Sequence, residues 1–366
     1  MRRTLHLFAL LGMLTLIAPA RAQEPAPPLR LAIAGLVHGH VSGFLRSALA
    51  RQDVQIVGVF DTDAALLRSY AERLKLAEGL TFTDLNAMLE KTRPEAIASF
   101  TNTLDHTAIV EAAAARRIHV MMEKPLAVDN AHAQRIQRAA KQGSIQVFVN
   151  YETTWYPSLG GVWKFFKEQK DAGGIRKMVA LDGHSGPKAI NVQPEFLDWL
   201  SDPVRNGGGA LFDFGCYGAN MMTWLMDNAR PIAVTAVTQQ FQPAVYPRVD
   251  DEATIVVEYP TAQGIIQASW NWPYNRKDLE VYGERGRAIA VGGNGLRLAL
   301  PKQPEASVAP EPLAADERDS ISHLIAVARG KRQPNALSSL ENNMIVTEIL
   351  AAARESARTR RRVVIE

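Results

Sequence analysis

Cysteine is almost absent from this chain: Cys216 stands alone among 366 residues. That excludes an intramolecular disulfide framework and any cysteine-rich metal centre. Long apolar runs are missing too. The most hydrophobic stretch, Leu5 to Ile17, spans thirteen residues and is interrupted by His6, short of the roughly 20 residues of a membrane-spanning helix. Arg2 and Arg3 precede it, and Pro19 and the small-residue site Ala20-Arg21-Ala22 follow. The pattern is that of a secretory signal peptide over residues 1–22, cleaved before Gln23. An exported protein, periplasmic or secreted, is therefore expected. Arg2-Arg3-Thr4-Leu5 is compatible with either the general secretory or the twin-arginine route. Charge of one sign is also lacking. Losing Arg2, Arg3 and Arg21 takes the 41 basic residues to 38, equal to the 38 acidic ones. The pI near 8.9 is thus partly a property of the leader, and neither nucleic acid nor a membrane is expected as a partner of the cleaved chain.

What is present is ordinary globular composition, 47% hydrophobic and 22% charged, at a length that suits two domains. After a proline-rich linker at 23–29, strand and helix alternate. Leu31–Gly35, Val54–Asp61, Ala96–Phe100, Ile118–Met122 and Gln146–Val149 read as strands, with helical patterns between them. Such alternation predicts an α/β fold with a doubly wound parallel sheet over residues 30–150. Beyond residue 150 successive strands with short turns predict an α+β domain over 151–366, with a large open and mostly antiparallel sheet.

A dinucleotide fingerprint, G-x-G-x-x-G after the first strand, is also incomplete. The turn reads Gly35-Leu36-Val37-His38-Gly39-His40, with Val37 and His40 where two glycines belong. Asp61 nevertheless ends the second strand, as an acid binding a ribose diol should, and no arginine adjoins it, which favours NAD while leaving NADP open. His38 and His40 have two readings, contact with a cofactor or polar loop surface. No metal site is expected of them, because no cysteine or acid lies at ligand spacing in the sequence.

Chemistry concentrates in two further stretches. The apolar strand before Glu123-Lys124-Pro125 stops at a proline, which fixes Lys124 just past a strand's carboxyl end, where open α/β sheets bind ligands. Desolvation there would lower the lysine pKa towards proton transfer. In Gly207-Gly208-Gly209-Ala210-Leu211-Phe212-Asp213-Phe214-Gly215-Cys216-Tyr217, a helix would set Asp213 and Tyr217 on one face, as substrate-orienting groups or as an N-cap and a core tyrosine.

Together these motifs resemble the Gfo/Idh/MocA family of oxidoreductases. The resemblance covers residues 30–366 and rests on Thr101-Asn102-Thr103 with His106, on Glu123-Lys124-Pro125, and on the triple glycine leading to Asp213-x-Gly215-x-Tyr217. It implies an NAD(P)-binding Rossmann domain followed by a substrate and oligomerisation domain. It implies a nicotinamide-dependent oxidoreductase of sugars, polyols or sugar derivatives, forming a homodimer or homotetramer. By the same resemblance Lys124, Tyr217 and Asp213 are catalytic. Gly35, Val37, His38, Gly39, His40, Asp61, Thr101, Asn102, His106 and Glu123 lie on the cofactor side. Asp213, Tyr217 and Asn220 face the carbohydrate; the aromatics Trp155 and Tyr156, clustered near the expected cleft, either stack on sugar there or serve packing or a subunit contact. Tyr217, where many members carry a histidine, looks like the glucose-fructose oxidoreductase branch. In the expected reaction Tyr217, assisted by Lys124, removes a hydroxyl proton as hydride leaves the carbon. Trp270 and Trp272 share a sheet face, either to stack on sugar or to pack, and His184 is a loop histidine near the expected cleft.

Overall fold

A computed structural model describes residues 26–365, so the expected leader and the first residues of the linker lie outside the described residues. The first domain runs β1 (Leu29–Ala34), α1 (Val41–Leu49), β2 (Val54–Phe60), α2 (Ala64–Leu74), β3 (Thr81–Phe82), α3 (Leu85–Thr92), β4 (Ala96–Ser99), α4 (His106–Ala114), β5 (His119–Glu123), α5 (Asn130–Gly143) and β6 (Val147–Asn150). Its six strands are parallel in the order β3-β2-β1-β4-β5-β6. The order reverses between β1 and β4, and the crevice at that switch point is where such sheets bind ligands. β1 begins at Leu29 rather than Leu31: Leu29 is buried and pairs with Val54, so the linker ends one residue earlier than its composition indicates.

Helix α1 shows why this half folds as it does. Val41, Phe44, Leu45 and Ala48 recur at helical spacing and are buried, giving the apolar stripe that packs on the sheet. They join Leu31, Ile33 and Phe100 in one core. Gly35, which ends β1, has φ +88°, and a Cβ there would come within 2.6 Å of the Thr101 amide. Only glycine fits that turn.

The second domain contains α6 (Pro157–Trp163), β7 (Ile175–Gly183), α7 (Pro194–Leu200), α8 (Ala210–Asp213), α9 (Gly215–Leu225), β8 (Ala233–Gln239), β9 (Glu252–Glu258), β10 (Gln263–Ser269), β11 (Arg276–Gly283), β12 (Arg287–Val291), β13 (Gly295–Ala299), β14 (Ala306–Ser307), α10 (Ser320–Ala328), α11 (Leu340–Thr359) and β15 (Val363–Val364). The nine strands lie in the order β14-β13-β12-β11-β7-β10-β9-β8-β15, antiparallel except for the β7–β10 pair. Two closing helices depart from a simple division at residue 150. Ile321, Leu324 and Val327 of α10 pack into the core of the first sheet. On α11, Arg354 Nη1 donates to the carbonyls of Val128 at 3.2 Å and Gly207 at 2.8 Å, tying the halves together. Among the described residues no helix is long and apolar enough to cross a membrane.

The triple glycine is explained by close approach. A Cβ on Gly209 would overlap the Asp250 carbonyl oxygen, while the Asp250 carboxylate accepts the amides of Gly209 at 3.0 Å and Leu211 at 2.7 Å. Asp250 thereby fixes the start of the short helix that carries Asp213. Gly209→Ala should cost about 3 kcal/mol or more, because backbone must move. Gly43→Ala, inside α1 with nothing within 4 Å of the added methyl, should stabilise by about 0.5–1 kcal/mol. Thermal melts of the two variants check the contrast.

Candidate active site

Lys124 lies just past β5 and joined to Pro125 by a cis bond. It is buried, and its ammonium bonds the Asp213 carboxylate oxygen Oδ1 and, at 3.0 Å, the Asp213 carbonyl. The other carboxylate oxygen of Asp213 accepts from Trp270 Nε1 at 2.9 Å. Trp270 is therefore a positioning residue for Asp213, fully buried, and no sugar platform. Burial alone would lower the Lys124 ammonium, but Asp213 beside it raises it above the ordinary lysine value. Likewise burial would raise Asp213, yet Lys124 holds it below the ordinary aspartate value. The expected lowering of Lys124 by desolvation is thus reversed by its partner, a charge attraction in a low-dielectric setting.

Tyr217 and Asp213 do come together around this lysine, though not as a simple relay. Lys124 Nζ lies 5.1 Å from the centroid of the Tyr217 ring, meeting the face of the phenol rather than its oxygen. Lys277 Nζ is also 5.1 Å from that ring and pairs with Glu152 Oε2 at 2.6 Å. Burial drives the Tyr217 hydroxyl well above its ordinary value, so it stays a neutral phenol. Asp182 on β7 is fully buried with both carboxylate oxygens unpartnered, and burial raises its carboxyl well above the ordinary aspartate value. A cavity of about 250 Å³ opens over the group, lined by Lys124, Asp213, Tyr217, His184, His40 and Lys277, among others. His184 lies in this cavity, its ring 4.7 Å from that of Phe214.

Several expected contacts are corrected. Asn220 is fully buried and donates to the Leu337 carbonyl at 2.6 Å and Asn342 Oδ1 at 2.8 Å, so it anchors α9 to the closing helix and does not face substrate. The Tyr156 hydroxyl donates to Glu152 Oε1, and its ring lies against Gly293. Trp155 donates to Asn150 Oδ1 at 3.1 Å and lines a second cavity of about 660 Å³ with Phe44, Arg51, Phe100, His40 and Glu123.

The β1–α1 turn is more closed than a glycine fingerprint would be. Phe196 carbons lie 3.0 and 3.1 Å from where a Gly39 Cβ would be, and Trp199 Nε1 donates to the Val37 carbonyl at 3.1 Å. His38 is buried against both aromatic rings. Its Nδ1 accepts the His40 amide at 3.2 Å, and its own amide donates to the Phe100 carbonyl at 3.0 Å. Burial lowers the His38 imidazole to about 3. His40, half exposed, is raised above its ordinary value because Glu123 outweighs its desolvation. The Glu123 carboxyl, which burial would raise, is instead held at about 2 by His40 and His38. An acid does therefore lie at ligand distance from both histidines, supplied by β5 and invisible in linear spacing.

The remaining residues expected on the cofactor side lie at the same sheet edge. Asp61 accepts the amides of Leu36 at 2.7 Å and Asp63 at 2.9 Å, one on each oxygen. Each oxygen keeps a lone pair for a ribose hydroxyl, so the acid fits a dinucleotide. Thr101 Oγ1 bonds the Asn102 carbonyl at 3.0 Å, Asn102 bonds Asp105, and the His106 ring bonds the Leu126 carbonyl at 3.2 Å. These three shape the loops after β4 and β5. Sequence reading missed Lys277, Asp182 and Asp250, and it named Trp270 without its role; these roles arise only from pairing across the second sheet and its loops.

Residues 29–151 match the oxidoreductase family with an NAD-binding Rossmann fold, and residues 164–289 match the GFO/IDH/MocA C-terminal domain. The chain is 23% identical to a pig trans-1,2-dihydrobenzene-1,2-diol dehydrogenase, over 74% of this chain and 79% of that one. It is 24% identical to a Thermotoga maritima myo-inositol 2-dehydrogenase, over 65% and 68%. In fold it is similar to an aldose-aldose oxidoreductase from Caulobacter crescentus crystallised with glycerol, at TM-score 0.78 and 20% identity, covering 92% of this chain and 100% of that one. An inositol dehydrogenase homolog from Azotobacter vinelandii crystallised with NAD+ gives TM-score 0.79 at 20% identity, over 94% and 99%. The first domain is an NAD-binding Rossmann domain, and relatives include an NADP-dependent D-xylose 1-dehydrogenase from Haloarcula marismortui.

The turn carries a pH dependence. His38 in the fold binds its proton only near pH 3, whereas the unfolded chain binds it near 6.5. Between those values the unfolded state holds more protons, so stability rises with pH. Stability should be complete above about pH 6.5 and fall as pH drops towards 3. Denaturant melts across this range should show a shallower slope for His38→Gln; an unchanged slope would contradict the assignment.

Proposed function

The chain belongs to the Gfo/Idh/MocA family of oxidoreductases, and from that premise we propose that it is an exported enzyme with tightly held NAD, acting on a carbinol carbon or the matching carbonyl of a sugar, polyol or sugar derivative. The observation that carries this reading is Lys124, fixed by Asp213 and Trp270 at the carboxyl edge of the NAD-binding sheet and facing a small cavity. Bound NAD supplies the acceptor or donor of hydride. Two N–H groups of Lys124 are taken by Asp213, and the third remains for a substrate oxygen. Because Asp213 keeps the lysine charged, it donates at neutral pH and neutralises charge growing on that oxygen. In carbonyl reduction Lys124 passes its proton to the oxygen as hydride reaches carbon. In carbinol oxidation the same group must first be neutral to accept the proton, so the oxidising rate climbs with pH through the alkaline range. Tyr217, held neutral, is a second hydrogen-bond donor beside it.

Export supports a captive cofactor, since free NAD is scarce outside the cytoplasm; a second sugar would then restore its redox state. Relatives named for myo-inositol and for aldoses support a polyhydroxylated substrate. A second reading, hydrolysis through transient oxidation, draws support from His40 and His184, two further proton-transfer groups on the same cavity. The open face of the nine-stranded sheet is the proposed contact of a dimer or tetramer.

Mass spectrometry of small molecules released on denaturing the purified exported protein should find NAD(H) near one per chain. No nucleotide, with no NAD-induced rise in Tm, would leave a non-catalytic sugar-binding protein as the better account. Lys124→Ala should lower kcat by about 100-fold or more; a variant with normal kcat would remove Lys124 from the chemistry.

A further inference from the structure

The two histidines that displace the glycine pattern have a third partner. His40 Nδ1 lies 3.2 Å from Glu123 Oε2, and His38 Nε2 lies 3.9 Å from the same oxygen. The three ligand atoms all fall within 4.8 Å of one another. Glu123 Oε2 is fully enclosed and meets no well-aligned hydrogen-bond donor, the ion-pair contact with His40 Nδ1 at 3.2 Å being its nearest partner; a buried carboxylate held this loosely gains from a bound cation.

We propose that His38, His40 and Glu123 hold a divalent transition-metal ion of the zinc class at the junction of the two cavities. Two imidazoles and one carboxylate are a ligand set that leaves at least one position open for water or a substrate oxygen. Bonds of about 2.0–2.1 Å in a tetrahedron set donor atoms roughly 3.3 Å apart. The His40–Glu123 separation, 3.2 Å, already has that value; His38 must approach Glu123 by about half an ångström, and the two imidazole donors, within 4.8 Å of each other, must close by up to about 1.5 Å. The supporting shell is in place: Asn150 Nδ2 donates to Glu123 Oε1 at 2.9 Å and aims the other oxygen inward, while Phe196 packs on the His38 ring. Lys124 is adjacent in sequence, but its charge is balanced by Asp213. Entry is through His40, which is half exposed and lines both cavities.

Binding at His38 Nε2 has a structural signature. In the metal-free arrangement Nδ1 accepts the His40 amide, so the neutral ring carries its proton on Nε2. A metal at Nε2 moves that proton to Nδ1, and the ring releases the amide. Glu123 is also an expected cofactor-side residue, so metal and NAD meet at one carboxylate and loading is compared with and without the nucleotide.

The test titrates untagged, chelator-treated protein with Zn²⁺ by calorimetry and with Co²⁺ by visible absorbance. Both readouts are independent of dehydrogenase activity, so failure of the NAD reading would leave them intact. The expected result is one ion per chain, bound about 100-fold or more weakly by His40→Ala and Glu123→Gln. Circular dichroism checks that each variant is folded, and ¹⁵N shifts should show His38 exchanging tautomer on zinc binding. Absence of a stoichiometric ion in the wild type would overturn the site and leave a hydrogen-bonded His–Glu–His cluster. An ion retained at wild-type affinity by His40→Ala would overturn it too, placing the metal elsewhere.

Discussion

The buried pair between Lys124 and Asp213 is the interaction on which the site depends. It joins the carboxyl edge of the first sheet to a short helix of the second domain, so the cavity exists only while both halves are in register. Taking two charges out of water is expensive, and removing one partner of such a pair costs about 3–5 kcal/mol because the other is left uncompensated. The surroundings are arranged to meet that demand. Trp270 serves the second Asp213 oxygen, Asp250 fixes the start of the helix, and the two Asp213 acceptors leave Lys124 one free N–H. The pair converts an ordinary lysine into a directed donor.

That arrangement also divides the labour among the remaining polar groups. Tyr217 sits between two ammonium groups, which approach its ring face and stabilise the side chain by cation–π attraction. Burial keeps the phenol neutral, so in the proposed reaction proton transfer falls to Lys124, with His184 and His40 lining the same cavity.

Much of this was legible in the chain. Strand–helix alternation located the doubly wound sheet, the proline after Lys124 marked the end of β5, and helical spacing set Asp213 and Tyr217 towards one site. What sequence could not supply was partnership across distance. Lowering of the Lys124 pKa follows from burial alone; Asp213, 89 positions later, reverses it. Asn220 has a residue type that suits a sugar site, yet its amide is consumed by Leu337 and Asn342, a packing fact with no local signal. Trp270 has the appearance of a stacking platform on a strand, but it lies in the loop just past β10, as does Trp272, and its indole N–H settles on a carboxylate. The histidine turn failed the ligand-spacing test because its acid comes from a neighbouring strand.

The central claim is that Asp213 holds Lys124 charged at the reacting centre, and the ionisation of that lysine tests it most directly. With lysine labelled at Nζ with ¹⁵N, the Lys124 resonance can be followed through a pH titration in the wild type and in Asp213→Asn. The account requires an ammonium that persists past the ordinary lysine value of 10.5 and titrates at clearly lower pH once the carboxylate is gone. A wild-type Lys124 already neutral near pH 7 would contradict it and return the site to a general-base lysine.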